Sequence, residues 1–317
     1  MNKVLLAGGA GFLGSHFIDS MIAAGHEITV VDNLMSGNRT NVPPEIKFYE
    51  HDIIEVGNFD SFHPLSKLQF DTVINFACPA SPPLYQRDPV HTMMTNVVGT
   101  KNLLDIARKN NAVFVQASTS EVYGDPEVSP QPESYRGCVN TLGPRANYDE
   151  GKRAAEALVM DYHRIYGTRV KIARIFNTYG TRMDPNDGRV VSNFIVQALQ
   201  DKPLTIYGDG TQTRSFCYVS DLIRGFMALT FKTPDDFTGP VNLGSQIELT
   251  MNQIASEVIR LTDSKSVIST HPLPIDDPRQ RRPDTTLARL HLDWTPTVSL
   301  EEGLARTVTY FRTRLGL

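Results

Sequence analysis

Between an apolar run at Val4–Ala7 and an amphipathic segment beginning at Phe12 stands Gly8-Gly9-Ala10-Gly11-Phe12-Leu13-Gly14. The apolar run is short and reads as a buried strand. Phe12, Leu13, Phe17, Met21 and Ile22 recur at helical spacing up to Ala24, and Gly25 stops the pattern. Strand, glycine turn, helix is the context in which a backbone can approach a pyrophosphate and a helix N-terminus can hold it. The glycines fit Gly-x-Gly-x-x-Gly from Gly9, and also a wider Gly8, Gly11, Gly14 spacing. A lone glycine motif carries little weight, but this one continues. A second apolar strand, Ile28–Val31, ends in Asp32, near the place where a dinucleotide site keeps an acid for the ribose hydroxyls of NAD. The bland alternative for Asp32 is a turn residue before Asn33. No Arg follows until Arg39, so a 2′-phosphate would meet a carboxylate without a close cation. NAD is expected rather than NADP.

The alternation persists. Lys47–His51 reads as a strand ending in Asp52, Thr72–Phe76 as another, Val90–Lys109 as a helix and Val113–Ala117 as a further strand. Later strands are expected at Val170–Ile175, Leu204–Tyr207 and Arg214–Val219. Helices are expected at Val190–Gln200, Asp221–Phe231, Asn252–Leu261 and Leu300–Arg314. Strands alternating with helices imply an α/β fold with a doubly wound parallel sheet of Rossmann type, its ligands at the carboxyl ends of the strands. With 317 residues, a sheet domain over 1–177, rejoined by 215–241, can carry a smaller C-terminal α/β lobe of 178–214 and 242–317. The expected cofactor contacts are Gly8, Gly11, Phe12, Leu13, Gly14, Asp32, Asn33, Asp52, Ile53, Ala77, Thr95 and Ala117.

Tyr148 and Lys152 open a helical pattern that runs to Tyr166 through Ala154, Ala155, Leu158 and Val159. Four positions apart, they share one helix face. A neighbouring ammonium favours the phenolate and would draw its pKa toward neutrality, which suits a base for a sugar hydroxyl beside a hydride acceptor. With 11 Tyr in the chain such a pair arises readily by chance on a solvated face, and the dinucleotide context is what raises it. Cys78-Pro79-Ala80-Ser81-Pro82-Pro83 and Ser118-Thr119-Ser120-Glu121-Val122-Tyr123-Gly124 each follow a strand. A proline cluster is ordinarily rigid loop, whereas hydroxyls and a carboxylate at that end of the sheet are placed to touch substrate. Arg182, Arg189, Arg214, Arg281 and Arg282 are singly surface charges and as a set suit a diphosphate.

Composition narrows the partners. A net charge of −4 leaves no electrostatic footprint for nucleic acid. Cys78, Cys138 and Cys217 form no Cys-x-x-Cys pair, which points to a reducing compartment. The eight histidines make no metal-ligand pattern, so no metal is expected. The first apolar run is too short to span a bilayer. The expectation is a cytoplasmic protein that binds neither membrane nor nucleic acid.

The motifs together resemble the extended short-chain dehydrogenase/reductases that act on nucleotide sugars, and among them the branch that decarboxylates UDP-glucuronate to UDP-xylose. The likeness runs from Gly8 to Trp294. Its most specific pieces are the two loops above (the second extended to Asp125-Pro126), Tyr148-Asp149-Glu150-Gly151-Lys152-Arg153, Arg174-Ile175-Phe176-Asn177-Thr178-Tyr179-Gly180 and Tyr207-Gly208-Asp209-Gly210. Thr181 stands where proline is usual, and Asn147 where a small residue or Cys is common; neither is a catalytic position. The resemblance implies tightly held NAD, with Tyr148 as base, Lys152 beside it and Thr119 sharing the substrate proton. It further implies that Ser120, Glu121 and one of Arg281 and Arg282 serve decarboxylation and protonation. Pro82, Asn177, Arg189, Tyr207, Arg214 and Arg282 would contact the UDP-sugar. Related dehydratases carry an Asp where this chain has Ser120, and related epimerases carry no Glu at the place of Glu121. An epimerase, a dehydratase and a silent NAD-sensing protein are the rival readings; the last should have lost Tyr148 or Lys152. The resemblance also implies a homodimer paired through helices.

Overall fold

A parallel strand covered on both faces reads as a nearly continuous apolar run. In the computed structural model, which describes residues 1–55, 65, 67–278 and 280–317, strand β1 (Lys3–Ala7) sends Val4 and Leu6 into one buried cluster and Leu5 and Ala7 into another. The pleat produces that split, because successive side chains point to opposite faces. Strands β2 (Glu27–Asp32), β3 (Lys47–Glu50), β4 (Thr72–Asn75), β5 (Val113–Thr119) and β6 (Val170–Ile175) join β1 in a sheet completed by the strand Val241–Leu243. From one edge the order is Val241–Leu243, β6, β5, β4, β1, β2, β3, and every pairing is parallel. The chain runs outward from β1 to β3 and then crosses to β4 on the other side of β1. Strand order therefore reverses at β1, and such a reversal opens a ligand crevice beyond the carboxyl ends of the strands.

The glycine turn makes that crevice usable. Gly8 sits at φ +80°, and a Cβ on Gly14 would lie 2.2 Å from the Gly8 carbonyl oxygen. No side chain fits at either position. The helix Phe12–Ala23 starts at Gly11 with no side-chain cap, so its first N–H groups remain available to a ligand.

The expected helix Val90–Lys109 is present as Pro89–Met94 and Thr100–Lys109 joined by a π turn at Thr95–Gly99. A Cβ on Gly99 would meet Ile53 at 2.5 Å. Periodicity does not disclose such a turn, since the backbone bonding changes while the side-chain pattern carries on. The expected strand Arg214–Val219 divides into Thr213–Ser215 and Cys217–Tyr218, because its halves pair differently. The first joins Glu248–Thr250 and Gln280–Arg281; the second joins Thr178–Tyr179. Strand Val241–Leu243 straddles the expected boundary at residue 241 and belongs to the sheet.

Beyond residue 178 stand the parallel pair Leu204–Tyr207 and Ile268–His271 and the helices Val190–Leu199, Met251–Thr262 and Leu300–Leu315. Phe194, Leu204, Ile254 and Phe311 are continuous with the cluster that covers one sheet face through Val4, Leu6 and Phe17. The sheet and these later elements share that core, and residues of both line one cleft.

Candidate active site

A cleft of about 900 Å³ opens at the carboxyl ends of β1, β4 and β5, within the range of small-molecule sites. Every cofactor candidate from the sequence lines it: Gly8, Gly11, Phe12, Leu13, Gly14, Asp32, Asn33, Asp52, Ile53, Ala77, Thr95, Ala117, Tyr148 and Lys152. Asp32 is fixed by two backbone donors, Ala10 N–H and Leu34 N–H, both at 2.9 Å. Asp52 accepts from Asn33 Nδ2 at 2.8 Å and lies 2.7 Å from His91 Nε2, a partner that sequence reasoning missed. Gly8, Gly14 and the uncapped helix start make a backbone cradle, and Asp32 places a carboxylate one strand away. The residues fit a dinucleotide of the NAD type.

Tyr148 is the third residue of the helix Ala146–Tyr166 and is 6% exposed. Its ring stacks on Tyr85, centroids 5.0 Å apart and planes 7° from parallel. Lys152 Nζ lies 5.8 Å from the Tyr148 ring centroid and donates to the Ala117 carbonyl at 3.0 Å. The expectation that Lys152 draws the phenol toward neutrality is not met. Burial pushes the Tyr148 pKa well above its ordinary value, with a hydrogen bond from Thr119 working the other way. Burial likewise lowers Lys152. Desolvation penalises the charged form of each group, and at this depth it outweighs the pair's attraction.

Thr119 ends β5 and caps the short turn Ser120–Tyr123 by accepting from Glu121 N–H at 3.2 Å. Its own O–H is left to face Tyr148. Glu121 then enters a cage that the sequence had not shown. Arg145 Nη2 donates to Glu121 Oε2 at 2.6 Å, and Arg281 Nη1 donates to Oε1. Burial opposes the charge, but the two guanidiniums, Arg281 first, hold the Glu121 carboxyl down at about 2. Arg145 also donates to Asp277 at 3.2 Å, and Arg214 Nη2 donates to the other Asp277 oxygen at 3.0 Å. A chain of alternating charge thus runs from Arg281 to Arg214 along the cleft.

Of the substrate candidates, Pro82, Asn177, Arg189, Tyr207 and Arg214 line the cleft, as do Thr119, Ser120, Glu121 and Arg281. Arg189 is held by Asp187 at 2.5 and 2.9 Å, its guanidinium 5.5 Å over the Phe12 ring. Arg282 is a correction. It is absent from the cleft lining, and its guanidinium turns to Glu248 at 3.4 Å while its N–H donates to Gln131. Arg281 ends the strand Gln280–Arg281 and lines the cleft, whereas Arg282 lies just past it. Arg145, Tyr85 and Asp277 were missed, although Arg145 stands on the Tyr148 helix face one turn earlier and was open to the same spacing argument.

The arrangement can hold a dinucleotide, move a proton at Tyr148 and Thr119, and receive an anion against paired arginines. The chain is similar to known proteins. The family model of the NAD dependent epimerase/dehydratase family covers residues 4–244. UDP-glucuronic acid decarboxylase 1 of Arabidopsis thaliana is 48% identical over 318 residues, covering 99% of this chain and 70% of that one. Among solved structures, the UDP-glucose 4-epimerase of Thermotoga maritima with UDP-glucose superposes at a TM-score of 0.89 with 32% identity, covering 99% of each chain. A UDP-glucuronic acid 4-epimerase of Bacillus cereus, a Tyr-to-Phe variant holding a fluorinated UDP-glucuronic acid and NAD, reaches 0.86 with 28% identity, over 98% of this chain and 99% of that one.

Proposed function

The chain belongs to the NAD dependent epimerase/dehydratase family, and on that premise we propose that it converts UDP-glucuronate to UDP-xylose and carbon dioxide. The observation that carries the reading is the Glu121 carboxylate caged by Arg145 and Arg281 beside Tyr148, with Ser120 between it and Thr119. An acid at position 120 would serve expulsion of a hydroxyl, and none stands there. A caged, ionised Glu121 orients two guanidiniums without itself giving up a proton at neutral pH.

The sheet domain would hold NAD through Gly8, Gly11, Gly14, Asp32 and Lys152, and the smaller lobe would hold the UDP-sugar through Asn177, Arg189, Tyr207 and Arg214. NAD held there would supply a hydride acceptor for sugar carbon 4 and a positive charge that would offset the burial keeping Tyr148 neutral. Tyr148 takes the carbon-4 hydroxyl proton with Thr119 relaying it. The resulting ketone is β to the uronic carboxylate, so carbon dioxide can leave with its bonding electrons delocalised into an enolate. Arg281 stabilises the carboxylate and then the enolate charge. Protonation of the enolate at carbon 5 leaves a 4-keto-pentose, and return of the hydride to carbon 4, with the proton held at Tyr148 going back to the carbon-4 oxygen, completes the pentose. Two copies paired through helices and a cytoplasmic setting are part of the proposal. Exposed Val90 on the helix Pro89–Met94 and Ile165 on the helix Ala146–Tyr166 support pairing, and among the described residues no helix is long and apolar enough to cross a membrane.

Incubation with UDP-glucuronate should release one carbon dioxide per UDP-pentose with no NADH accumulating, as read by mass spectrometry and absorbance at 340 nm. A UDP-hexuronate epimer without loss of mass would replace decarboxylation by epimerisation. The cofactor is open to a separate check. Calorimetric titration should give tighter binding of NAD than of NADP, because the 2′-phosphate would meet buried Asp32; equal affinities would remove Asp32 from that role.

A further inference from the structure

We propose that Asp149 sets the charge of the anion-receiving end of the cleft, so that a substrate carboxylate is admitted more readily while Asp149 keeps its proton. This rests on the reading of the cleft as a UDP-glucuronate site. Asp149 follows Tyr148 on the helix and stands one turn after Arg145. It is 6% exposed, and its Oδ1 is buried without a hydrogen-bond partner. Among the described residues no ion pair closes on it. The groups that act on it are Glu121 from the turn after β5, Arg281 from the strand Gln280–Arg281, and Arg145 and Glu150 from its own helix; it acts in turn on the Tyr85 phenol.

Glu121 is pinned as an anion by two guanidiniums, so of the two neighbouring carboxyl groups Asp149 is the one that can hold a proton. Along the chain of charge, the guanidiniums of Arg281, Arg145 and Arg214 meet the carboxylates of Glu121 and Asp277. These named groups are three cations and two anions, and an ionised Asp149 would add a third anion beside them. Burial first and Glu121 second raise the Asp149 carboxyl to about 7. Below that pH Asp149 adds no negative charge beside Arg145 and Glu121; above it one is added. Asp149 touches neither cofactor nor substrate in this account and is a positioning residue, acting through Arg145 and Arg281.

The test is calorimetric binding of UDP-glucuronate and of UDP-glucose, which lacks the carboxylate, to the NAD-loaded protein at pH 6 and pH 8. For the wild type, the Kd of UDP-glucuronate should rise roughly three- to tenfold across that interval, and that of UDP-glucose clearly less. Asp149→Asn, nearly isosteric and uncharged at both pH values, should hold its pH 6 affinity at pH 8, and in turnover assays the difference should lie in KM rather than kcat. Equal pH dependence for both ligands, or an unchanged dependence in the Asn variant, overturns the inference. The comparison of two ligands on the wild type stands even if the variant does not fold. Failure of decarboxylation with this contrast intact would instead count against the proposed reaction.

Discussion

Replacing Tyr148 by Phe should lower turnover by roughly 10²–10⁴, the usual worth of a positioned general base, while bound NAD and fold survive. The hydroxyl is the only atom removed, and the ring keeps its stacking on Tyr85 at 5.0 Å. Thr119 cannot substitute. Its O–H shares the substrate proton but leans on the Glu121 N–H contact, and an alcohol is a far weaker base than a phenolate. Because burial raises the free phenol so far above its ordinary value, Tyr148 depends on a cation brought into the cleft to reach its working state. Tyrosinate absorbance should therefore be missing from the NAD-free protein at pH 8 and gain intensity on NAD addition in the wild type, with no such gain in Tyr148→Phe. A Phe variant with full turnover would take the base role away from Tyr148. A wild type already showing tyrosinate without NAD would mean that Lys152 does what the sequence expected of it.

That contrast marks where sequence reasoning works and where it stops. The glycine turn and the end of β2 at Asp32 were legible, and Asp52, Ala77 and Ala117 were put at the correct end of the sheet although β3 and β4 stop two residues before Asp52 and Ala77 and β5 runs two residues past Ala117, because the alternation of strand and helix fixes which end of the sheet they share. Spacing also put Tyr148 and Lys152 on one face. Whether their charges help each other is decided by burial, which depends on residues distant in the chain such as Tyr85 and Ala117. The cage around Glu121 was invisible for the same reason. Arg145 lies 24 residues away and Arg281 lies 160 residues away, and no period links them. Arg281 and Arg282 could be separated only by knowing that a two-residue strand pairs Arg281 with Arg214 and ends before Arg282, which no sequence period reveals. Tyr85 was missed because its loop looks like rigid punctuation, yet that rigidity is what presses one phenol against another.

Loss of Arg281 should be the most damaging change outside the base. Arg281 is 2% exposed and joins Glu121 through Nη1 and the Gly124 carbonyl through Nη2 at 3.1 Å. Arg281→Ala leaves Glu121 with Arg145 alone. Breaking one side of a buried ion pair costs about 3–5 kcal/mol, and removal of one preorganised donor costs about 10²–10³ in kcat. Both losses should appear, as a lowered denaturation midpoint and as a kcat defect that high substrate does not rescue. Arg281→Lys keeps a cation but cannot make both bonds from one planar group, so it should regain more stability than activity. The pH dependence has a definite sign. A carboxyl held at about 2 in the fold, against roughly 4.3 in an unfolded chain, contributes stability that is present above the unfolded value and is lost as pH falls toward the folded one. Arg281→Ala lets the Glu121 carboxyl climb back, so this part of the stability shrinks and the difference between wild type and variant should be largest near neutral pH and narrow below pH 4. Denaturant titrations at pH 7 and pH 3.5 measure it. A gap of the same size at both values would mean that Arg281 holds the site by packing rather than by its charge on Glu121.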